Sequence, residues 1–205
     1  MFKNLFVEFF SWIKAIILAL VLAVCLSVFV IQPFTVDGSS MEPTLQGLDH
    51  FNPQQAGDRV FAFKTLFLLG QKPEIGDIVI IDSRVDDERT LADSFIESPM
   101  IAAFIDVEER SRHNWVKRII GAPGDRIAIN GGFVYRNGVK LDEEYIKESI
   151  YLDFEEIEIP EGHVFVMGDN RNGSTDSRDI GPVPIDHVTG KVIARFYPFH
   201  RAETF

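Results

Sequence analysis

The sequence predicts a mainly β protein, with an antiparallel β-sheet domain behind one N-terminal transmembrane helix. No charged residue lies between Ala15 and Val36, so one long apolar segment stands near the start of the chain. Beyond it, short apolar segments alternate with turn signals such as Asn130-Gly131-Gly132 and Asn137-Gly138, which are typical of β-hairpins. Most connections between the predicted strands are short, and short connections favour antiparallel neighbours.

Composition and charge exclude some classes of function. The chain has 205 residues, of which 46% are hydrophobic, and this is enough for an anchor and one domain with a core. Its formal charge is −11, and because residues 1–36 carry +1, the remainder carries −12. A domain this acidic repels phosphates, so we expect no nucleic-acid partner. With Cys25 as its single cysteine, the chain forms no intrachain disulfide and no cysteine-rich metal site.

The apolar segment predicts a membrane anchor over residues 1–33. A helix from Trp12 to Pro33 is long enough to cross a hydrocarbon core of about 30 Å. Lys3 and Lys14 precede the segment, and the next cation after it is Arg59. The positive-inside rule therefore places the N-terminus in the cytoplasm and the chain after the helix outside the cell membrane, with the helix as a single-pass anchor. The alternative is a cleavable secretory signal, but residues 27–34 contain no small-x-small cleavage site.

Residues 34–205 are expected to form one extracytoplasmic, β-rich domain. Alternation and turn signals predict strands at residues 78–82, 115–120, 163–167 and 188–196, with hairpins within 126–141. The phenylalanine-rich residues 59–69 fit either a buried strand pair or an apolar edge that rests on the bilayer. Residues 84–113 are highly charged and contain Pro99, so we expect an insertion there with one or two short helices.

Ser40 and Lys117 are the candidate catalytic residues. Ser40 follows the anchor in a segment with turn character, so it is either a nucleophile or a turn residue. A serine needs a base, and none of the five histidines has a recognisable triad context. Lys117 lies in a predicted strand, where alternation puts it on one face with Trp115 and Ile119. Burial there would lower its pKa and make it a base; the alternative is a sheet-edge lysine with its amine in water.

Four segments resemble the conserved boxes of type I signal peptidases, also called leader peptidases. Residues 38–45 (GSSMEPTL) resemble the nucleophile box, and residues 76–79 (GDIV) resemble the next one. Residues 116–125 (VKRIIGAPGD) resemble the box with the general-base lysine, and residues 168–178 (GDNRNGSTDSR) resemble the last box. The boxes occur in the order of that family behind an N-terminal anchor. The connection after the nucleophile box and residues 84–113 are longer than in compact members.

The resemblance implies a role for each matching residue. Ser40 would attack the scissile carbonyl, and Lys117 would accept its proton. Ser174 would orient the lysine, while Asp176 and Arg178 would support the geometry of the site. The Ser40 amide would donate to the oxyanion. Gly38 stands where some members carry a serine whose hydroxyl also donates, so the second oxyanion donor stays open.

The function implied is removal of N-terminal signal peptides from exported preproteins by a membrane-bound serine endopeptidase. The expected partners are preproteins and membrane lipid, and no cofactor or metal is expected. Residues 169–176 do not fit a calcium loop, because Arg171 stands where a ligand would be required. The sequence leaves the oligomeric state open. One alternative is a specialised relative that processes a narrow substrate, such as a pilus or conjugation protein. Another is a catalytically inactive, membrane-tethered β module that binds partners.

Overall fold

The computed structural model describes residues 2–49, 56–102 and 113–205. It begins with the helix α1, Phe2–Phe29, which is followed after one residue by the strand β1, Ile31–Thr35. Within α1, Val7–Phe29 are long and apolar enough to cross a membrane, and very little of this stretch is buried against the rest of the molecule. This apolar surface agrees with a membrane-anchoring helix.

The helix ends earlier than the sequence predicted. We expected it to reach Pro33, but residues 31–35 pair with the strand β2, Arg59–Phe63. Proline lacks the amide hydrogen that a helix interior needs, and the residue before it favours an extended conformation. Two contacts then satisfy carbonyls at the helix end: the Lys64 amide donates to Val30 O at 2.8 Å, and Thr65 Oγ1 donates to Phe29 O at 2.7 Å.

Two antiparallel sheets dominate the described residues after α1, as the sequence predicted. The larger sheet contains β1, β2, β3 (Ile78–Asp82), β4 (Asn114–Gly121), β9 (His163–Met167), β10 (Val183–Pro184) and β11 (Val188–Tyr197). Its order is β1-β2-β11-β3-β4-β9-β10, and β12 (Glu203–Thr204) pairs with β11. The smaller sheet, in the order β7-β6-β5-β8, contains β5 (Arg126–Asn130), β6 (Phe133–Arg136), β7 (Val139–Lys140) and β8 (Phe154–Glu158).

Both predicted hairpins are present in the smaller sheet. Gly131 and Gly132 connect β5 to β6, and Asn137 and Gly138 connect β6 to β7. Asn137 has φ 54° and Gly138 has φ 75°, the left-handed conformations that a two-residue hairpin turn requires.

The phenylalanine-rich residues 59–69 are only partly a strand. β2 ends at Phe63, and a short helix α2, Thr65–Leu68, follows it. Val60 and Ala62 are fully buried in the apolar core, as expected for an inner strand. Leu69, in contrast, is 80% exposed, so the segment is not buried along its whole length.

The insertion contains the expected short helices. These are α3, Leu91–Ile96, and α4, Pro99–Ala102, and Pro99 begins the second helix rather than interrupting a longer one. Residues 103–112 of the insertion lie outside the described residues. Another short helix, α5, covers Ser177–Ile180 and begins within the last of the four sequence boxes.

Candidate active site

Ser40 lies in a turn that is fixed to the edge of the large sheet. Val36 N donates to Asp58 O at 2.8 Å, and Leu48 N donates to Val36 O at 3.0 Å, so both ends of the turn are held. Met41 and Leu45 have no exposed surface and pack in the core beneath the sheet. These buried neighbours hold the partly exposed Ser40 at a defined position on the surface.

Glycines make the path of this turn possible. Gly38 has φ 73°, a left-handed conformation that side chains disfavour. The backbone of Gly38 also lies directly against Gly47, where a Cβ atom would overlap it. Gly38 therefore serves the shape of the turn that contains Ser40, and without a side chain it provides no hydroxyl donor.

Lys117 occupies the middle of β4 and reaches Ser40. Its cross-strand partner Val79 packs in one apolar cluster with Trp115 and Ile119. This agrees with the prediction from alternation that Lys117 shares one face of the strand with Trp115 and Ile119. The lysine is only 3% exposed, so the alternative of a solvated edge lysine is wrong. Its Nζ lies 3.0 Å from the Ser40 Oγ and 5.5 Å from the centre of the Trp115 ring.

Burial changes the acidity of this lysine. It lowers the pKa of Lys117 from 10.5 to about 8, because desolvation penalises the ammonium form. The nearby Asp176 carboxylate opposes the shift, and the Arg178 guanidinium adds to it. A lysine with this pKa is partly neutral near neutral pH, so it can accept a proton from a hydroxyl within hydrogen-bond distance.

The loop after β9 holds the backbone of the serine. Asn170 N donates to Ser40 O at 3.0 Å, and Asn170 Nδ2 donates to Ser39 O at 3.0 Å. Gly168 lies so close to Ser40 O and to the Ser174 side chain that a Cβ atom at this position would overlap both. A side chain at position 168 would thus push the turn that contains Ser40 away from the loop.

Asp176 and Arg178 brace the same loop. Asp176 is fully buried, and its Oδ2 accepts from Gly168 N at 3.0 Å. Arg178 Nε donates to Asp176 Oδ1 at 2.8 Å, and Arg178 NH2 donates to Ser174 O at 3.3 Å. The Asp176–Arg178 ion pair thereby connects the start of α5 to the loop backbone at Gly168 and at Ser174.

Ser174 lies beside the site, but its hydroxyl points elsewhere. Its Oγ donates to Thr175 O at 3.4 Å rather than to Lys117. The side chain nevertheless lies against Gly168 and close to Ser40 O. A rotation about its Cα–Cβ bond changes the direction of the hydroxyl, so an orienting role for Ser174 stays a prediction.

Sequence reasoning missed a polar network behind the serine. Arg118 forms two hydrogen bonds with Asp169, Nε to Oδ1 at 2.8 Å and NH2 to Oδ2 at 2.7 Å. Thr44, from the turn that contains Ser40, donates its hydroxyl to Asp169 Oδ2 at 2.5 Å. Asp169 is fully buried, and it links three of the four boxes. The boxes contain these residues, but only tertiary structure shows that they meet.

Two histidines have contacts away from this site. His187 is buried with its Nδ1 3.4 Å from Asp82 O, and His163 Nδ1 lies 3.0 Å from Glu161 O. His50 lies outside the described residues. The contact of Lys117 with Ser40 makes the lysine the better candidate for the base.

Comparison with known proteins identifies the family of this chain. The family model of signal peptidase, peptidase S26, matches residues 9–197. Signal peptidase I of Bacillus licheniformis is 35% identical over 202 residues, covering 93% of this chain and 90% of that protein. Signal peptidase I T of Bacillus subtilis (strain 168) is 32% identical, with coverages of 94% and 87%. Probable signal peptidase I-1 of Synechocystis sp. is 33% identical, with coverages of 92% and 83%. This chain belongs to the signal peptidase family, peptidase S26.

Proposed function

We propose that Ser40 is the nucleophile and Lys117 the general base of this enzyme. Membership of the family makes the chain a serine peptidase that removes signal peptides from preproteins. The observation that supports the residue assignment is the distance of 3.0 Å between Lys117 Nζ and Ser40 Oγ, with the lysine almost completely buried. A buried amine beside a hydroxyl is the arrangement that activates a serine without histidine.

The reaction would proceed through an acyl-enzyme. Neutral Lys117 takes the proton of the Ser40 hydroxyl while Oγ attacks the scissile carbonyl carbon. The resulting ammonium then protonates the leaving amine, and the peptide bond breaks. Lys117, neutral again, removes a proton from a water molecule that attacks the ester carbonyl carbon. The bond from that carbon to Ser40 Oγ then breaks, the Lys117 ammonium returns the proton to Oγ, and the cleaved signal peptide leaves as a carboxylic acid. The Ser40 amide stabilises the oxyanion; Gly38 contributes the shape of the turn.

Supporting residues would keep these two groups at reacting distance. Asp176 and Arg178 hold the loop that contacts the Ser40 backbone. Ser174 would orient the Lys117 amine after its hydroxyl rotates from the Thr175 carbonyl. Ser174→Ala should therefore lower kcat more than it raises KM, since the lysine stays near the serine but loses orientation.

The anchor would place this site at the membrane surface. In our assignment, α1 forms the cytoplasmic end and the anchor, and the chain from β1 onward forms the extracytoplasmic peptidase domain with an insertion at 84–113. Contact with lipid holds the enzyme where the apolar segment of a signal peptide resides. This proximity raises the effective concentration of substrate and restricts its orientation.

Cleavage of a model preprotein in detergent or lipid tests the assignment of Ser40 and Lys117. Ser40→Ala and Lys117→Ala should each lose more than about a thousandfold in kcat. Lys72→Ala is the matched control, because this lysine is exposed, and it should keep wild-type activity. Circular dichroism confirms that each variant is folded.

The same experiment distinguishes the alternatives. Substantial activity in Lys117→Ala would overturn the lysine as base and make the histidines the next candidates. If the wild-type enzyme cleaved only one or a few preproteins of a panel, it would be a specialised relative. A folded wild type that cuts no preprotein would favour an inactive binding module.

A further inference from the structure

A segment that belongs to none of the four boxes crosses behind the candidate site. Residues 143–147, here called the crossing segment, lie in the connection between β7 and β8 of the smaller sheet and have no regular secondary structure. Two of its side chains and one of its amides contact the lysine box and the last box. This placement ties the smaller sheet to the loop that holds Ser40.

Glu143 provides the most buried of these contacts. Its carboxylate accepts two hydrogen bonds from Arg171, NH1 to Oε2 at 2.9 Å and NH2 to Oε1 at 2.6 Å. The side chains of both residues are at least 95% buried, at 0% and 5% exposure. Because an unpaired buried guanidinium is costly, the carboxylate fixes where Arg171 lies.

Arg171 passes this constraint to the serine. Its Nε donates to Gly168 O at 3.0 Å. Gly168 in turn lies against Ser40 O without space for a Cβ atom, and the amide of Asn170 donates to that same oxygen. A continuous chain of contacts therefore runs from Glu143 to the backbone of the proposed nucleophile.

Tyr145 and Lys147 reinforce the placement of the segment. The Tyr145 hydroxyl donates to Glu143 Oε1 at 2.8 Å, and its ring lies 4.0 Å from the guanidinium carbon of Arg118, the neighbour of Lys117 in sequence. Lys147 N donates to Asp169 O at 3.3 Å. The crossing segment thus contacts the lysine box as well as the last box.

We propose that Glu143 is a positioning residue for signal-peptide cleavage, acting through Arg171 and Gly168 on the location of Ser40. The proposal rests on the proposed function of Ser40 and Lys117. Glu143 itself touches neither of them. Its effect is on the distance between Ser40 Oγ and Lys117 Nζ, and a displacement of about 1 Å can cost a hundredfold in rate.

Steady-state kinetics on a model preprotein test this proposal with the full-length enzyme. Glu143→Gln keeps the size of the side chain but removes the charge that holds Arg171. We expect kcat to fall about 10- to 100-fold with KM changed less than threefold. Glu143→Asp, which keeps the charge, should recover part of the rate. Glu158→Gln is the matched control, since this exposed carboxylate on β8 pairs with exposed Arg126, and it should leave both constants unchanged.

A double variant separates positioning from stability. Glu143→Leu with Arg171→Met removes both buried charges, so the melting temperature should recover relative to Glu143→Gln. The link to Gly168 is still missing, so kcat should stay low. Recovery of kcat together with the melting temperature would overturn the proposal, as would an unchanged kcat in Glu143→Gln. Ser40→Ala, measured in parallel, reports separately on the proposed function: its retained activity would refute the nucleophile and not the Glu143 result.

Discussion

Lys64 and Lys117 show that a lowered pKa does not by itself identify a base. Both lysines are buried, at 4% and 3% exposure, and desolvation lowers the pKa of each to about 8. Lys117 contacts the hydroxyl of Ser40, whereas Lys64 lies in the field of Arg89 and Glu97. Geometry next to a nucleophile, and not the pKa alone, gives Lys117 its proposed role.

The pH dependence of cleavage follows from the acidity of Lys117. Below about pH 8 the amine is protonated and cannot accept the Ser40 proton; above it the amine is neutral. We therefore expect kcat/KM to rise tenfold per pH unit well below this pKa and to level off above it. A pH–rate profile on a peptide substrate without ionisable groups near the cleaved bond measures this.

Lys64→Met is the control for the rising limb. Because Lys64 has a similarly lowered pKa, its removal tests whether it contributes to the profile. The limb should persist at the same pH in this variant. If the limb disappears with Lys64, or if the wild-type rate is flat between pH 6 and pH 9, Lys117 is not the titrating base.

At the scale of elements, an ion-pair cluster attaches the insertion to the large sheet. Asp82 ends β3, and it accepts from Arg84 NH2 and Arg89 NH1 at 2.6 Å each. Arg89 also donates to Glu97, beyond α3, at 2.7 Å. The carbonyl of Glu97 accepts from Gln32 Nε2 on β1 at 3.1 Å. The insertion therefore contacts the strand that directly follows the anchor.

Arg89→Ala should destabilise the fold by about 3 kcal/mol at pH 7, the lower end of the cost of breaking a buried ion pair, because Glu97 loses its close partner while Arg84 stays bonded to Asp82. Burial alone would raise the pKa of Asp82, but hydrogen bonds from Arg84 and the charge of Arg89 outweigh it and lower the pKa from 3.8 to about 2. A depressed carboxylate pKa stabilises the fold above about pH 4, and this contribution is lost as the pH falls through 2. The difference between wild type and variant should therefore shrink in acid.

Denaturant unfolding in detergent at pH 7 and pH 3 measures both effects. Arg126→Ala is the control, since its ion pairs with Glu156 and Glu158 are largely exposed and worth less than about 1 kcal/mol. If Arg89→Ala lowered the free energy of unfolding by no more than Arg126→Ala does, the ion-pair cluster would not be what holds the insertion.

Local patterns predicted most elements, and contacts between distant segments explain what they missed. β3, β4, β9 and β11 alternate or are continuously apolar, so their positions were visible in the sequence. The helix end was misplaced because β1 continues the apolar composition of α1, and only Pro33 indicates the change. Ser40 and Lys117 lie within recognisable boxes. Glu143 lies in none of the boxes. Its pairing with Arg171 could not be predicted from the sequence, because the two residues are distant in the chain and the charged pair is buried only after the two sheets meet.

For the whole molecule, the distribution of charge and apolar surface determines its placement in a membrane. Residues 7–29 form an apolar helix with little contact to the rest, while the acidic part of the chain follows it. Lys3 and Lys14 precede or lie within the start of this stretch, and Asp37 and Glu42 follow it. We infer that the N-terminus stays in the cytoplasm and that the sheets lie outside.

Cysteine labelling in spheroplasts tests this orientation. Cys25→Ala removes the single native cysteine. Asn4→Cys then provides one thiol before the apolar stretch 7–29, and Leu152→Cys provides one thiol after it. Leu152 is 79% exposed, so its replacement is accessible to reagents without disturbing the core. A membrane-impermeant maleimide should label Leu152→Cys in intact spheroplasts and Asn4→Cys only after detergent is added. If only Asn4→Cys were labelled before detergent, the orientation would be the opposite of the one inferred. Ser40 would then lie on the wrong side of the membrane to meet exported preproteins.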